Sequence, residues 1–115
     1  MENTVLNNLN MMIDEIKLMY ANGMYRDVRE LLRAYEDYIR ILTYRQFEDI
    51  FGDLDKHIFE LNEIAYGIES ESIPKALQSK NYRELSILIR IKEQIDDIVT
   101  EIYNRKSRNE VEETN

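Results

Sequence analysis

Over residues 43–68 the apolar side chains Phe47, Phe51, Leu54, Ile58, Leu61, Ala65 and Ile68 recur at alternating steps of four and three, a seam sustained over three heptads. That spacing belongs to a helix packed lengthwise against other helices. Thr43 followed by Gln46 has the spacing of a capping box at its start, and Gly67 is expected to stop it. From residue 43 to 71 the chain carries two positive and eight negative side chains, a net −6 of the −8 on the whole protein. One long acidic helix is therefore expected to dominate both packing and electrostatics.

The other elements follow from the same spacing. A first helix is expected over Thr4–Ala21, with Leu6, Leu9, Ile13, Ile16 and Tyr20 as its seam, widened by Val5, Met12 and Met19. Asn22-Gly23 ends it as an αL cap would. A second helix is expected over 24–42, with Val28, Leu31, Tyr35, Tyr38 and Leu42 inward. Its other face interleaves Arg26, Arg29, Arg33 and Arg40 with Asp27, Glu30, Glu36 and Asp37. That face sums to zero and reads as a solvated surface, each i,i+4 pair worth only ~0.3–0.5 kcal/mol. A break is expected at 69–74, with Ser72 as a cap and Pro74 in the first turn of a short helix to about Gln78. Ser79-Lys80-Asn81 then turns the chain into a last helix over 82–104, lined by Leu85, Leu88, Ile91, Ile95, Ile98 and Ile102. Residues 105–115 are polar and almost free of apolar anchors, so a disordered tail is expected after a helical bundle over 1–104.

Composition narrows the class further. Three glycines and one proline leave little turn chemistry, so the fold class expected is all-α: an antiparallel bundle of four long helices plus one short one. With 115 residues the chain makes one domain with a modest core. The absence of Cys removes disulfides, thiol catalysis and cysteine-based zinc sites, and suits a reducing cytoplasm. Met-Glu-Asn-Thr lacks the basic region and apolar run of a signal peptide, so a cytoplasmic location is expected. No apolar run approaches the roughly 20 residues that span a bilayer, so no membrane role is expected. A net charge of −8 argues against direct nucleic-acid binding, which rests on Lys and Arg neutralising phosphates.

At an offset of 57, Ile16, Tyr25, Arg26, Leu31, Arg33, Glu36 and Ile41 answer to Ile73, Tyr82, Arg83, Leu88, Arg90, Glu93 and Ile98. In both copies an apolar helix ends, a polar turn follows, and Tyr-Arg-acid opens the next helix. Two pseudo-repeated helical hairpins would produce this; so would binary patterning alone. Each Tyr is placed to fold over its turn with the hydroxyl left wet.

The stretch 76–89 carries Ala76, Leu77, Lys80, Asn81, Tyr82, Leu85 and Ile89 in the pattern A-L-x-x-K-D-Y-x-x-L-x-x-x-L. In this the chain resembles small uncharacterised helical proteins encoded near flagellar genes of low-GC Gram-positive bacteria. The pattern's Asp is Asn81 here, and the acidic-aromatic run that follows it is replaced by Arg90-Ile91-Lys92-Glu93. The resemblance implies a helical protein-binding role.

Residues suited to catalysis are few. The one histidine, His57, shares a row with Ile50 and Ile64, with Asp53 and Glu60 in helical reach, and reads as a paired, partly buried residue. A metal site would need more ligands, and no His-x-x-x-His or Glu-x-x-His pair exists, so no metal, no cofactor and no catalytic residue is expected. No Gly-rich phosphate loop is present. Glu60-x-x-Glu63 and Glu93-x-x-Asp96 resemble the paired acidic motifs with which all-α nucleotide pyrophosphohydrolases of the MazG type hold Mg²⁺. Glu60 and Glu63 lie on the polar side of their helix, however, away from the seam where such a site must converge.

The candidate binding surface is a second row on the acidic helix. Phe59 and Tyr66 stand seven apart and nearly opposite the seam, Gly52 one heptad earlier leaves a notch, and Glu63 lies between them. Either other helices of the chain cover this row, or it is a ridge of aromatics rimmed by carboxylates that binds a partner helix. The function expected is a non-enzymatic protein-binding module, an adaptor or chaperone-like protein, with a homodimer as a further partner. An acidic inhibitor that occupies the basic groove of a nucleic-acid-binding protein is the second class, carried by the net −6 helix.

Overall fold

The structure, a computed structural model, describes residues 3–114, with the side chains of 109–114 excepted. It is all-α, with no strand among the described residues: α1 (Thr4–Ala21), α2 (Tyr25–Ile41), α3 (Tyr44–Asp49), α4 (Phe51–Gly67), a π turn (Ile68–Ser72), α5 (Ile73–Gln78) and α6 (Tyr82–Thr114).

α1 begins where Asn3 Oδ1 accepts the Leu6 N–H at 3.1 Å. It ends with Gly23 at φ +71°, as the glycine predicts, and with the Met24 N–H returning to the Met19 carbonyl. The turn into α6 closes in the same way. Lys80 takes φ +55° and the Asn81 N–H returns to the Ala76 carbonyl, each position 57 residues after its counterpart. The two hairpins thus share one turn geometry, reached with glycine in the first and at the steric expense of a lysine in the second.

Within each hairpin the helices run antiparallel. Tyr20 meets Tyr25 at the turn, and the Asn8 amide donates to the Tyr38 hydroxyl at the far end of the same pair. Asp55 of α4 with Lys106, and Glu69 of the π turn that continues it with Lys92, show that α4 and α6 run antiparallel. Between hairpins the sense is parallel. Along α1 and α4 the contacts step together from Asn10–His57 to Lys17–Glu60 to Tyr20–Ser72. Along α2 and α6 they step from Arg29–Gln94 to Ile39–Arg105. Like arms therefore lie on like arms.

The core is built from the expected rows of α1, α4 and α6. On α2 it is Val28, Leu32, Tyr35 and Ile39 that are buried, one step round from the expected Leu31 and Tyr38. α2 packs against both α1 and α6, so its inward direction lies between two neighbours; Leu31 and Tyr38 flank that line on the α1 side.

The expected single helix over 43–68 is broken. The Thr43–Gln46 capping box forms, but Ile50 leaves the helical region (φ −113°, ψ 12°), so α3 and α4 are separate. The break keeps Phe47, Ile50 and Leu54 all buried, with Phe47 and Phe51 edge to face at 5.2 Å. Gly67 does not stop α4: it is helical, and the chain continues through the π turn into α5. Ser72 does not cap; it too is helical and makes no cap hydrogen bond. The Ile73 N–H bonds the Ile68 carbonyl five residues back. This wider turn brings the chain up to Pro74, which has no N–H to give.

The polar stretch from Arg105 continues α6, with helical backbone to Thr114, and Arg105 and Lys106 pack on the bundle; Asn115 lies outside the described residues. Arg105 is half-buried, donates to the main-chain oxygens of Ile39 and Leu42, and lies 4.6 Å over the Phe47 ring. Those oxygens belong to the C-terminal end of α2, where a cation also meets the helix dipole favourably.

Candidate functional site

The outward row of α4 is uncovered. Phe59 is 64% and Tyr66 71% exposed, so among the described residues no other helix lies over them. Gly52 is exposed, and a Cβ built there would meet nothing within 4 Å, so the notch is open. Glu63 is exposed beside Phe59.

Phe59 and Glu63 also line a concavity of about 680 Å³ between α1 and α4. α1 contributes Lys17 and Tyr20; α4 adds Lys56, Glu60 and, at the base, Ile64. Tyr66 and Gly52 are not part of this lining, so the four expected residues share a helix face without sharing one cavity. Lys17 pairs with Glu60 at 3.6 Å and bridges the two helices along the wall. Gly67 lets α1 approach: a Cβ there would stand 3.2 Å from the Tyr20 hydroxyl, which instead shares a 2.8 Å hydrogen bond with Ser72. Burial is the main reason the Tyr20 phenol is held above its ordinary value, against the opposing bond from Ser72. Lys17 and Tyr20 are the members of this groove that periodicity could not find, because it reports one helix at a time.

His57 is buried, at 2% exposure, and is paired, but not with Asp53 or Glu60. Its Nε2 lies 2.7 Å from Asn10 Oδ1 and its Nδ1 2.8 Å from the Tyr35 hydroxyl. Oδ1 only accepts, so Nε2 donates to it; burial disfavours the charged ring, which leaves Nδ1 to accept from the Tyr35 hydroxyl. The ring is therefore neutral and fully satisfied, joining α1, α2 and α4. Desolvation holds its pKa below the ordinary 6.5, with Glu60 and Asp53 pulling the other way. Burial likewise raises the Tyr35 phenol. Both groups are saturated inside the core, so this triad is structural.

The four carboxylates of the acidic pairs lie apart in role. Glu60 is tied to Lys17, while Glu63, Glu93 and Asp96 are exposed. Among the described residues no three His, Asp or Glu side chains gather where they could hold a metal ion. Of the residues in the A-L-x-x-K pattern, Ala76 is buried in the hairpin, while Tyr82, Leu85 and Ile89 line a separate concavity of about 310 Å³ on α6. No described helix is long and apolar enough to cross a membrane. No protein-family model, no curated protein and no solved structure matches the chain.

Proposed function

We propose that the chain is a non-enzymatic helical binding module, an adaptor or chaperone-like protein, that takes up a helical segment of another protein along the outer face of α4. One observation carries the reading: two aromatic side chains a heptad apart, both mostly exposed, beside an open concavity. Seven residues span roughly 10 Å of helix axis, the repeat at which a second helix offers its own apolar side chains. Phe59 and Tyr66 would be the anchors, Gly52 the point of closest approach, and Glu63 a rim charge that favours basic flanks on the partner. The resemblance to flagellar-locus proteins makes a motility protein one such partner.

A second reading, an acidic inhibitor of a nucleic-acid-binding protein, draws on the net −6 over residues 43–71. The two part on salt. Attraction between exposed charges fades once the screening length falls below their separation, whereas aromatic burial persists. The test is capture of partners from the native host with wild type and Phe59→Ala as paired baits, at low and high salt. Partners held by wild type at both salts and lost from Phe59→Ala support the helix-binding module. Partners released by salt alone and indifferent to Phe59 would replace it with the inhibitor.

A further inference from the structure

The arginine face of α2 has no part in that reading; it is solvated, as expected, with Arg26, Glu30, Arg33 and Arg40 exposed. Arg26, Arg29 and Arg33, with Glu30 and Ile87 of α6, line a concavity of about 380 Å³ between the two parallel helices. Steps of three and four put the guanidinium groups on one stripe, spread over roughly 10 Å of axis. Three guanidinium groups against one carboxylate give the groove a formal +2 on a protein of −8. Its Arg26 end lies in the first turn of a 17-residue helix, where the dipole adds positive potential.

One of the three arginines is held in place before any ligand arrives. Gln94 reaches across from α6: its Oε1 accepts from Arg29 Nε at 3.3 Å and its Nε2 donates to the Arg29 carbonyl at 3.1 Å. The clamp occupies Nε alone, so the terminal nitrogens of Arg29 keep their donors for a ligand while the side chain is already ordered. Arg26 and Arg33 have no ion-pair or hydrogen-bond partner among the described residues, although Glu30 and Asp37 stand at i,i+4 from them. Arg40 on the same helix, outside the groove, is held by Glu36 and Glu101.

We propose that this groove binds a short phosphate chain, two or three consecutive phosphoryl groups, carried by free polyphosphate or by the 5′ end of a nucleotide. Guanidinium forks match phosphate oxygens in pairs. A chain of phosphoryl groups sets several negative charges in a row along the stripe and can engage neighbouring arginines together; the carboxylates of an acidic peptide, spaced more widely along a chain, would meet them singly.

The test is calorimetric titration of the full chain with inorganic tripolyphosphate in magnesium-free, low-salt buffer, followed by ADP and ATP. One site is expected, weakening as salt rises. Arg33→Gln and Arg29→Gln should each weaken it by roughly tenfold or more, the usual worth of a charge-assisted bond. Arg40→Gln should leave it unchanged. Gln94→Leu should weaken it in wild type but not in an Arg29→Gln background, which separates positioning of Arg29 from a general loss of structure. ATP binding more tightly than tripolyphosphate names a nucleotide as the source; equal or weaker binding names free polyphosphate. Arg33 is exposed, so its variant remains informative if Arg29→Gln fails to fold. No binding at millimolar tripolyphosphate, or binding that survives Arg33→Gln, overturns the proposal. Hexaglutamate binding as tightly as tripolyphosphate would overturn it in favour of an acidic polypeptide.

Discussion

From the exposed Asn10, a polar chain runs through His57 to Tyr35 inside the apolar core, and each member depends on the next. Tyr35→Phe would leave the buried Nδ1 without a donor, so it should cost ~1–3 kcal/mol in urea unfolding despite the conserved ring. Protonation acts on the same point. The folded pKa of His57 is depressed, so the unfolded chain binds the proton more readily, and stability is lost as pH falls below 6.5 toward the folded value. A plot of stability against pH over that window should slope upward with pH in wild type and be flatter in His57→Gln. Lys80 offers a change of the opposite sign. It holds φ +55° where the first hairpin has glycine, so Lys80→Gly should raise stability by up to ~1 kcal/mol. The position of Lys80 in a turn was readable from Ser79-Lys80-Asn81; its strained backbone was not.

Among the elements, the helices least like their expectation are those whose ends are set by neighbours. Heptad spacing placed Phe47, Leu54 and Leu61 inward, and all three are fully buried. Leu61→Ala should therefore cost ~2–5 kcal/mol in thermal or urea melts. The same spacing runs through Ile50 without a sign of the break there, because a kink that keeps every seam residue buried leaves no trace in hydrophobic pattern. α6 is the other instance. A polar run from Arg105 looks detachable when only apolar anchors are counted, yet Arg105 satisfies two carbonyls at the end of α2 and covers Phe47. Lys106 pairs with Asp55 at 2.6 Å. A chain ending at Asn104 should accordingly lose ~1–3 kcal/mol relative to the full chain, most of it reproduced by Arg105→Ala.

For the molecule as a whole, stacking of like hairpin arms sends two different surfaces outward: aromatic and acidic on α4, arginine-lined between α2 and α6. Phe59→Ala is expected to shift monomer stability by no more than about 1 kcal/mol, well below the cost of a core Phe, since most of the side chain is already in water. If a second copy occupies that row, wild type will instead melt at a temperature that rises with protein concentration, and Phe59→Ala will lose that dependence. Melting both across a wide concentration range distinguishes the cases. The amino-acid sequence by itself determined the all-α class, the inward rows of α1, α4 and α6 and the first hairpin turn, because these follow from periodicity and backbone preference within about seven residues. It also put Phe59, Tyr66, Gly52 and Glu63 on one face, for the same reason. Only the tertiary structure decided that Phe59 and Tyr66 stay mostly exposed, that His57 pairs with Tyr35 and Asn10 rather than with the carboxylates beside it, and that Arg105 packs on the fold. Each of those depends on residues brought together from different helices, and local spacing contains no record of which helix becomes the neighbour.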